Sequence, residues 1–118
     1  MHRFSLNVMP RDAGVIVQVC GDASVNEADH LRNGLQPILR RNPQRIVLDL
    51  TALEFINSLG LGVLLEFRKD AQEHGVDLRL AGASDRIADL LQKTRLVELF
   101  PLYASAETAY SGEAEQSA

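Results

Sequence analysis

The residues best placed to do chemistry form one short run, Asn57-Ser58-Leu59-Gly60-Leu61-Gly62. Asn57 and Ser58 are both favoured helix N-cap residues. A serine hydroxyl there can close the helix end, or it can accept a group delivered by another macromolecule. Gly60 and Gly62 each cost about 1 kcal/mol relative to alanine inside a helix. They strip side chains from the surface beside Ser58, so a second backbone or an enzyme's active site can approach closely. The alternative is that they pack the helix against its own sheet.

The rest of the chain does not supply an active site. Ser58 lacks the preceding glycine of a nucleophile elbow, and no base or acid completes a triad. Gly60-x-Gly62 is too short for a dinucleotide fingerprint, and no glycine-lysine-serine/threonine ending marks a phosphate loop. His2, His30 and His74 have no ligand spacing, so they are expected on the surface without a metal. Cys20 is the only cysteine, which excludes an internal disulfide or a zinc framework; it is expected as a small core residue. Asp49, at a strand end, is taken as structural. Glu66, Arg68, Lys69, Asp70 and Glu73 form a solvated helix face. No cofactor is implied.

The serine run belongs to a strand-turn-helix unit over residues 45–75. Ile46-Val47-Leu48 with Leu50 is an apolar, β-branched run that suits a strand covered on both faces. Leu53, Phe55 and Ile56 return the chain to the core. Leu61, Leu64, Leu65, Arg68 and Ala71 then recur at helical spacing, and Gly75 fits the left-handed residue that closes a helix.

Upstream, Phe4, Leu6 and Val8 alternate with polar residues over Arg3 to Val8, and Val15 to Cys20 forms a second strand. Pro10 to Gly14 supplies the turn of a hairpin. Ser24 with Glu27 reads as a capping box. It opens a helix with Val25, Ala28, Leu31, Leu35, Ile38 and Leu39 on one face. Pro37 predicts a kink or a break, since proline inside a helix costs about 3 kcal/mol. Downstream come a strand over Val76 to Leu80 and a helix capped by Ser84 or Asp85, with Ile87, Ala88, Leu90 and Leu91 as its stripe. A last strand is expected around Phe100 to Tyr103, and a final helix from Ser105. The order β-β-α-β-α-β-α-β-α makes a single α/β domain over residues 1–110. Its sheet is mixed: an N-terminal hairpin, then parallel βαβ units, with about four helices. Residues 111–118 are expected to be a disordered tail.

The chain has 118 residues, with 12 basic against 16 acidic and no basic block. That disfavours nucleic acid as the main partner. Tryptophan is absent and aromatics are few, which leaves little for stacking on bases. No signal-peptide pattern or membrane-length apolar run occurs, so a soluble cytoplasmic protein without membrane insertion is expected.

F-I-N-S-L-G-L-G-V-L-L, following V-L-D-L-T-A-L, resembles the sulphate-transporter and anti-sigma-factor-antagonist (STAS) domain, in particular the small bacterial anti-sigma factor antagonists. Asp49, Ser58, Gly60, Leu61 and Gly62 match that pattern, and the likeness spans about residues 3–110. The resemblance implies that Ser58 is phosphorylated by a partner anti-sigma factor that is also a serine kinase. The unmodified antagonist binds this partner, the phosphorylated form is released, and a phosphatase restores it. The implied contact surface is Asn57, Ser58, Leu59, Gly60 and Gly62, with Asp22 and Ser24 from the loop after the second strand. Asn57 stands where the family usually has aspartate, Leu59 where serine or threonine is common, and Ser24 where many antagonists are acidic. These departures fit two readings: a divergent antagonist, or a domain that binds without being switched. The second would suit a STAS subunit of an ABC-type lipid-transport system or of a larger signalling complex.

Overall fold

In the computed structural model, which describes residues 3–24 and 26–112, the chain runs β1 (Ser5–Pro10), β2 (Gly14–Ala23), α1 (Glu27–Leu39), β3 (Arg45–Asp49) and β4 (Leu53–Ile56). It continues α2 (Ser58–Glu73), β5 (Asp77–Ala81), α3 (Asp85–Lys93), a 3-10 turn (Leu96–Glu98), β6 (Leu102–Tyr103) and α4 (Ala106–Ser111). The sheet order is β1-β2-β3-β5-β6, with β4 attached to β2. Only β1 and β2 are antiparallel; all other pairings are parallel. The mixed α/β sheet expected from the sequence, a hairpin followed by parallel crossovers, is observed with one further strand, β4.

The main core gathers Val15, Val17, Val19, Ile46, Leu48 and Leu80 from the sheet with Leu31, Leu35 and Leu39 of α1, Leu64 and Phe67 of α2, and Ile87 and Leu91 of α3. A smaller core lies on the opposite face, where Ile16, Val47 and Ala81 meet Ala109 of α4. β3 is thus covered on both sides, as its unbroken apolar run requires.

Local structure departs from the sequence pattern at several points. The Ser24–Glu27 capping box does not form. The residue before α1 is Asn26, in the left-handed region at φ 68°, with no side-chain cap. Asparagine tolerates that conformation better than most residues, and the Glu27 carboxylate instead meets His30. Val25 lies outside the described residues. Of the kink or break expected at Pro37, the break does not occur: α1 continues through it. Pro37 and Asn33 are exposed, so the carbonyl that loses its donor faces water. Cys20 is half-buried rather than core. By strand alternation it shares a face with Ile16, but α4 does not reach that far. Leu65 is 39% exposed, and the buried stripe of α2 runs instead through Leu61, Val63, Leu64, Phe67 and Ala71. Ser111 belongs to α4 and Gly112 caps it, so the expected tail is ordered at its start; residues 113–118 lie outside the described residues.

β4 was not expected as a strand. Its pairing explains why Phe55 departs from its expected place in the core. Gly21 pairs with Leu53, Asp22 with Phe55 and Ala23 with Ile56, leaving Glu54 as an extra, bulged residue. A bulge inverts the side-chain alternation beyond it. Leu53 and Ile56 therefore both point inward, while Phe55 is 37% exposed.

Arg79 is the other surprise. Its place in an alternating strand predicts exposure, yet it is 1% exposed. It pairs with Val47 across the ladder, on the face that α4 covers. The guanidinium donates to the carbonyls of Ala109 (2.8 Å) and Gly112 (2.6 Å) and to the Asp77 carboxylate (2.9 and 3.2 Å), and it lies 5.3 Å from the Tyr103 ring centre. Arg45 adds a bond to the Tyr110 carbonyl. Cations thus meet the negative end of α4. Truncating Arg79 to alanine strands these acceptors and should cost about 3–5 kcal/mol. Urea unfolding of Arg79→Ala against wild type checks this.

Candidate functional site

The site begins where β2 changes neighbours. Its first half pairs with β3 and its last residues pair with β4. The Leu50–Ala52 link that makes the exchange possible is held closely. Leu50 N–H donates to the Ala81 carbonyl (2.7 Å), Gly21 N–H to the Ala52 carbonyl (2.9 Å), and the Asp49 carboxylate accepts from Thr51 N–H and Oγ1 (3.1 and 2.6 Å). Gly82 leaves room for this pair, since a Cβ there would lie 2.2 Å from Thr51 Oγ1. Asp49 is engaged in shaping a turn.

β4 then delivers Asn57. Its N–H donates to the Ala23 carbonyl (3.3 Å), so the start of α2 is fastened to the end of β2. The Asn57 backbone is extended, and its Oδ1 accepts from Gly60 N–H at 2.9 Å, the third residue of the helix. Asn57 is therefore the N-cap and Ser58 the first helical residue. Ser58 is exposed, and among the described residues its hydroxyl makes no hydrogen bond. The N–H groups of Ser58 and Leu59 have no intrahelical acceptor by position, and the first turn of α2 carries no acidic residue. The helix presents a free hydroxyl and two free amides at its positive end.

The two glycines divide their roles. A Cβ on Gly60 would lie 2.6 Å from Ile56 Cγ1, so Gly60 is buried against its own strand. It does not belong to a contact surface. A Cβ on Gly62 would meet nothing within 4 Å, so that position is open. Leu59 is 67% exposed, the most exposed large apolar side chain among the described residues.

The loop from Asp22 to Ser24 lies beside this helix end through the Ala23–Asn57 bond. Asp22 Oδ1 accepts from Ser24 N–H (3.0 Å), an inward use of the carboxylate, and the Ser24 carbonyl accepts from Glu27 N–H (3.0 Å). Asn26, Ala28, Asp29 and Arg32 complete a shallow groove with Leu59. Arg32 braces α1 to α2, donating to Asp29 (2.7 Å) and to both Glu66 oxygens (3.1 and 3.4 Å). The Glu66 bond raises the Arg32 guanidinium above its ordinary pKa. Arg86 Nη1 donates to the carbonyl of the bulged Glu54 (3.4 Å). Local sequence does not single out Asn26 or Arg32, and it places Phe55 in the core rather than at the surface. The left-handed tolerance of asparagine was a usable signal for the first; a pairing between distant segments exposes the last. His30 and His74 are exposed, and His2 lies outside the described residues; among the described residues no cluster could hold a metal ion.

The division of labour predicts four stability changes, readable by urea or thermal unfolding. Asn57→Ala should lose about 1 kcal/mol with the cap. Ser58→Ala should stay within about 0.5 kcal/mol, because its hydroxyl caps nothing. Gly60→Ala should destabilise by about 1–3 kcal/mol by overpacking Ile56. Gly62→Ala should stabilise by up to about 1 kcal/mol.

Comparison with known proteins gives this geometry a family. A family model described as the STAS domain matches residues 5–109. The chain is 30% identical over 90 residues to an anti-sigma F factor antagonist of Paenibacillus polymyxa, covering 75% of this chain and 77% of that protein. It is 28% identical over 91 residues to an anti-sigma-B factor antagonist of Staphylococcus aureus, covering 77% and 84%. The crystal structure of an anti-sigma factor antagonist from Mycobacterium paratuberculosis superposes with a TM-score of 0.85 at 23% identity, covering 92% of each chain. No helix among the described residues is long and apolar enough to cross a membrane. With the family match running from β1 into α4, the chain belongs to the STAS domain family.

Proposed function

We propose that this chain is an anti-sigma factor antagonist that binds an anti-sigma factor with serine kinase activity and is switched by phosphorylation of Ser58. The observation that carries the reading is that Asn57 closes the helix end, leaving the adjacent Ser58 hydroxyl exposed and uncommitted. Relatives that are anti-sigma factor antagonists support the general role. The contact surface in this reading is Ser58, Leu59 and Gly62 with the neighbouring Asp22–Ser24 loop. Asn57 shapes it from below.

The energetics suit a switch that acts on the partner. Phosphorylation adds about −1.5 to −2 charges. At the first turn of α2 that charge meets two free amides and the positive end of the helix dipole, worth about 0.3–2 kcal/mol. The domain itself is not strained. A partner that has packed against Leu59 and the open Gly62 must instead desolvate the phosphate, at a cost of several kcal/mol. Since about 1.4 kcal/mol is tenfold in affinity, a loss of about 100- to 1,000-fold results without a change of shape.

Incubation with the cognate kinase-type anti-sigma factor and ATP, followed by intact mass and site mapping, is expected to add one phosphate at Ser58 and none to Ser58→Ala. Ser58→Glu is expected to weaken binding of that partner by at least tenfold while its melting temperature stays near wild type. Modification elsewhere, or binding with no modification, would favour the unswitched subunit of a transport or signalling assembly. A phosphatase is the further partner that reversal requires.

A further inference from the structure

The two ends of the main strand order differ. β6 is two residues long, too short to recruit another strand, whereas β1 runs for six residues at the other edge. Exposed edges are usually guarded by charged side chains, bulges or proline. β1 reads Ser-Leu-Asn-Val-Met-Pro, with no charge, and Pro10 only at its end. Val8, at its middle, is 46% exposed. Beside the edge, α1 contributes Gly34, where a Cβ would lie 2.2 Å from Leu6 Cδ1, and Ile38, which lines a depression with Val8, Pro10 and Val15.

The free backbone groups of this edge can be assigned. Arg11 N–H donates to the Gly14 carbonyl at 2.8 Å across the hairpin. Antiparallel ladders alternate, so Ser5, Asn7 and Met9 also turn their backbone groups toward β2. Leu6, Val8 and Pro10 turn theirs outward, and Pro10 brings a carbonyl but no N–H. We propose that two copies of this chain join antiparallel through β1, about a two-fold axis at Val8, to make one continuous sheet.

Charge and proline set the register. A two-fold axis perpendicular to the sheet falls on a residue, and the residues nearest the middle of β1 are Asn7 and Val8. Centring on Asn7 sets Arg3 of one copy opposite Arg11 of the other, twice. Centring on Val8 opposes Val8 to Val8, Leu6 to Pro10, Asn7 to Met9 and Ser5 to Arg11, with no like charges facing. In that register each Val8 exchanges both of its backbone bonds with the other copy. Each Leu6 N–H donates to the opposite Pro10 carbonyl. Four bonds form, and the missing N–H of Pro10 is the only donor lost from each copy's set. The contact is isologous, so one uncharged six-residue segment supplies both sides. It leaves the start of α2, beyond the C-terminal ends of β2 and β4, open to an anti-sigma factor.

Sedimentation equilibrium at high micromolar concentration tests the pairing. Wild type is expected at twice the 13.0 kDa chain mass. Val8→Lys and Val8→Glu are each expected as monomers with wild-type circular dichroism, because each places like charges at the axis. An equimolar mixture of the two variants is expected to recover the dimer, since lysine then faces glutamate. Amide exchange on the wild type, which needs no variant to fold, is expected to show Leu6 and Val8 protected, with that protection lost on dilution while Asn7 and Met9 keep theirs. A monomeric wild type, a dimeric single variant, a mixture that stays monomeric, or fast exchange at Leu6 and Val8 in the dimer would each overturn the proposal.

Discussion

Everything at the candidate site depends on one irregular pairing, the bulge that lets β4 join the end of β2. β2 has ten residues, long enough to serve two neighbours in succession. β3 occupies its first half and ends at Asp49; β4 takes over at Gly21. The extra residue at Glu54 turns the remainder of the strand over. It sends Ile56 into the core, where it meets Gly60, and it brings the backbone of Asn57 to Ala23. In a regular pairing Phe55 would take the inward place and Ile56 the outward one, and α2 would start from a different direction. The free hydroxyl of Ser58 is a downstream result of that single inserted residue.

The opposite face of the sheet is closed by a different kind of interaction. α4 is only six residues long and brings little apolar area, chiefly Ala109 with Tyr110 beside it. Helices this short are not stable alone. Three arginines hold it in place. Arg79 and Arg45 bind carbonyls at its C-terminal end, and Arg11 pairs with Glu107 at its first turn (2.9 Å) and lies 4.7 Å from the Tyr110 ring centre. Asp77 sits between Arg45 and Arg79 and neutralises part of their charge. A buried guanidinium is costly unless its donors are used, and here the contacts of Arg79 run to two carbonyls and both oxygens of a carboxylate. The sheet is thereby fixed from behind, while the end carrying Ser58 stays free for contact.

Hydrophobic period made much of this fold legible in the sequence. The hairpin, β3, α2, α3 and the Schellman close at Gly75 (Gly75 N–H to Gln72, Val76 N–H to Ala71) all arise from local pattern or turn chemistry. What local pattern could not reach were features made by distant segments. β4 is a strand only because β2 extends past Cys20 to receive it. Arg79 alternates like an exposed residue, and only α4, some 30 residues later, buries it. The Ser24–Glu27 spacing satisfies a capping rule, yet the chain enters α1 through a left-handed Asn26 and no side-chain cap forms. At the site, the sequence offered Asn57 and Ser58 as rival caps. Geometry decides between them, because only Asn57 has the extended backbone from which a side chain reaches the third helical amide.

That decision bears on how the proposed switch would work. An aspartate at position 57 would place a fixed negative charge one residue from the acceptor hydroxyl, and a phosphate on Ser58 would then sit against it. Asparagine keeps the cap, since its Oδ1 accepts from Gly60 as a carboxylate would, but removes that repulsion. The first turn of α2 carries no other acid, and the nearby Asp22 carboxylate is turned toward Ser24. A phosphate on Ser58 would therefore be electrostatically easier to hold than beside an aspartate, while the unmodified hydroxyl would lack a carboxylate neighbour to orient it for transfer. In the proposed switch, Asn57 would favour persistence of the modified form and would leave the activation of Ser58 to groups brought by the kinase.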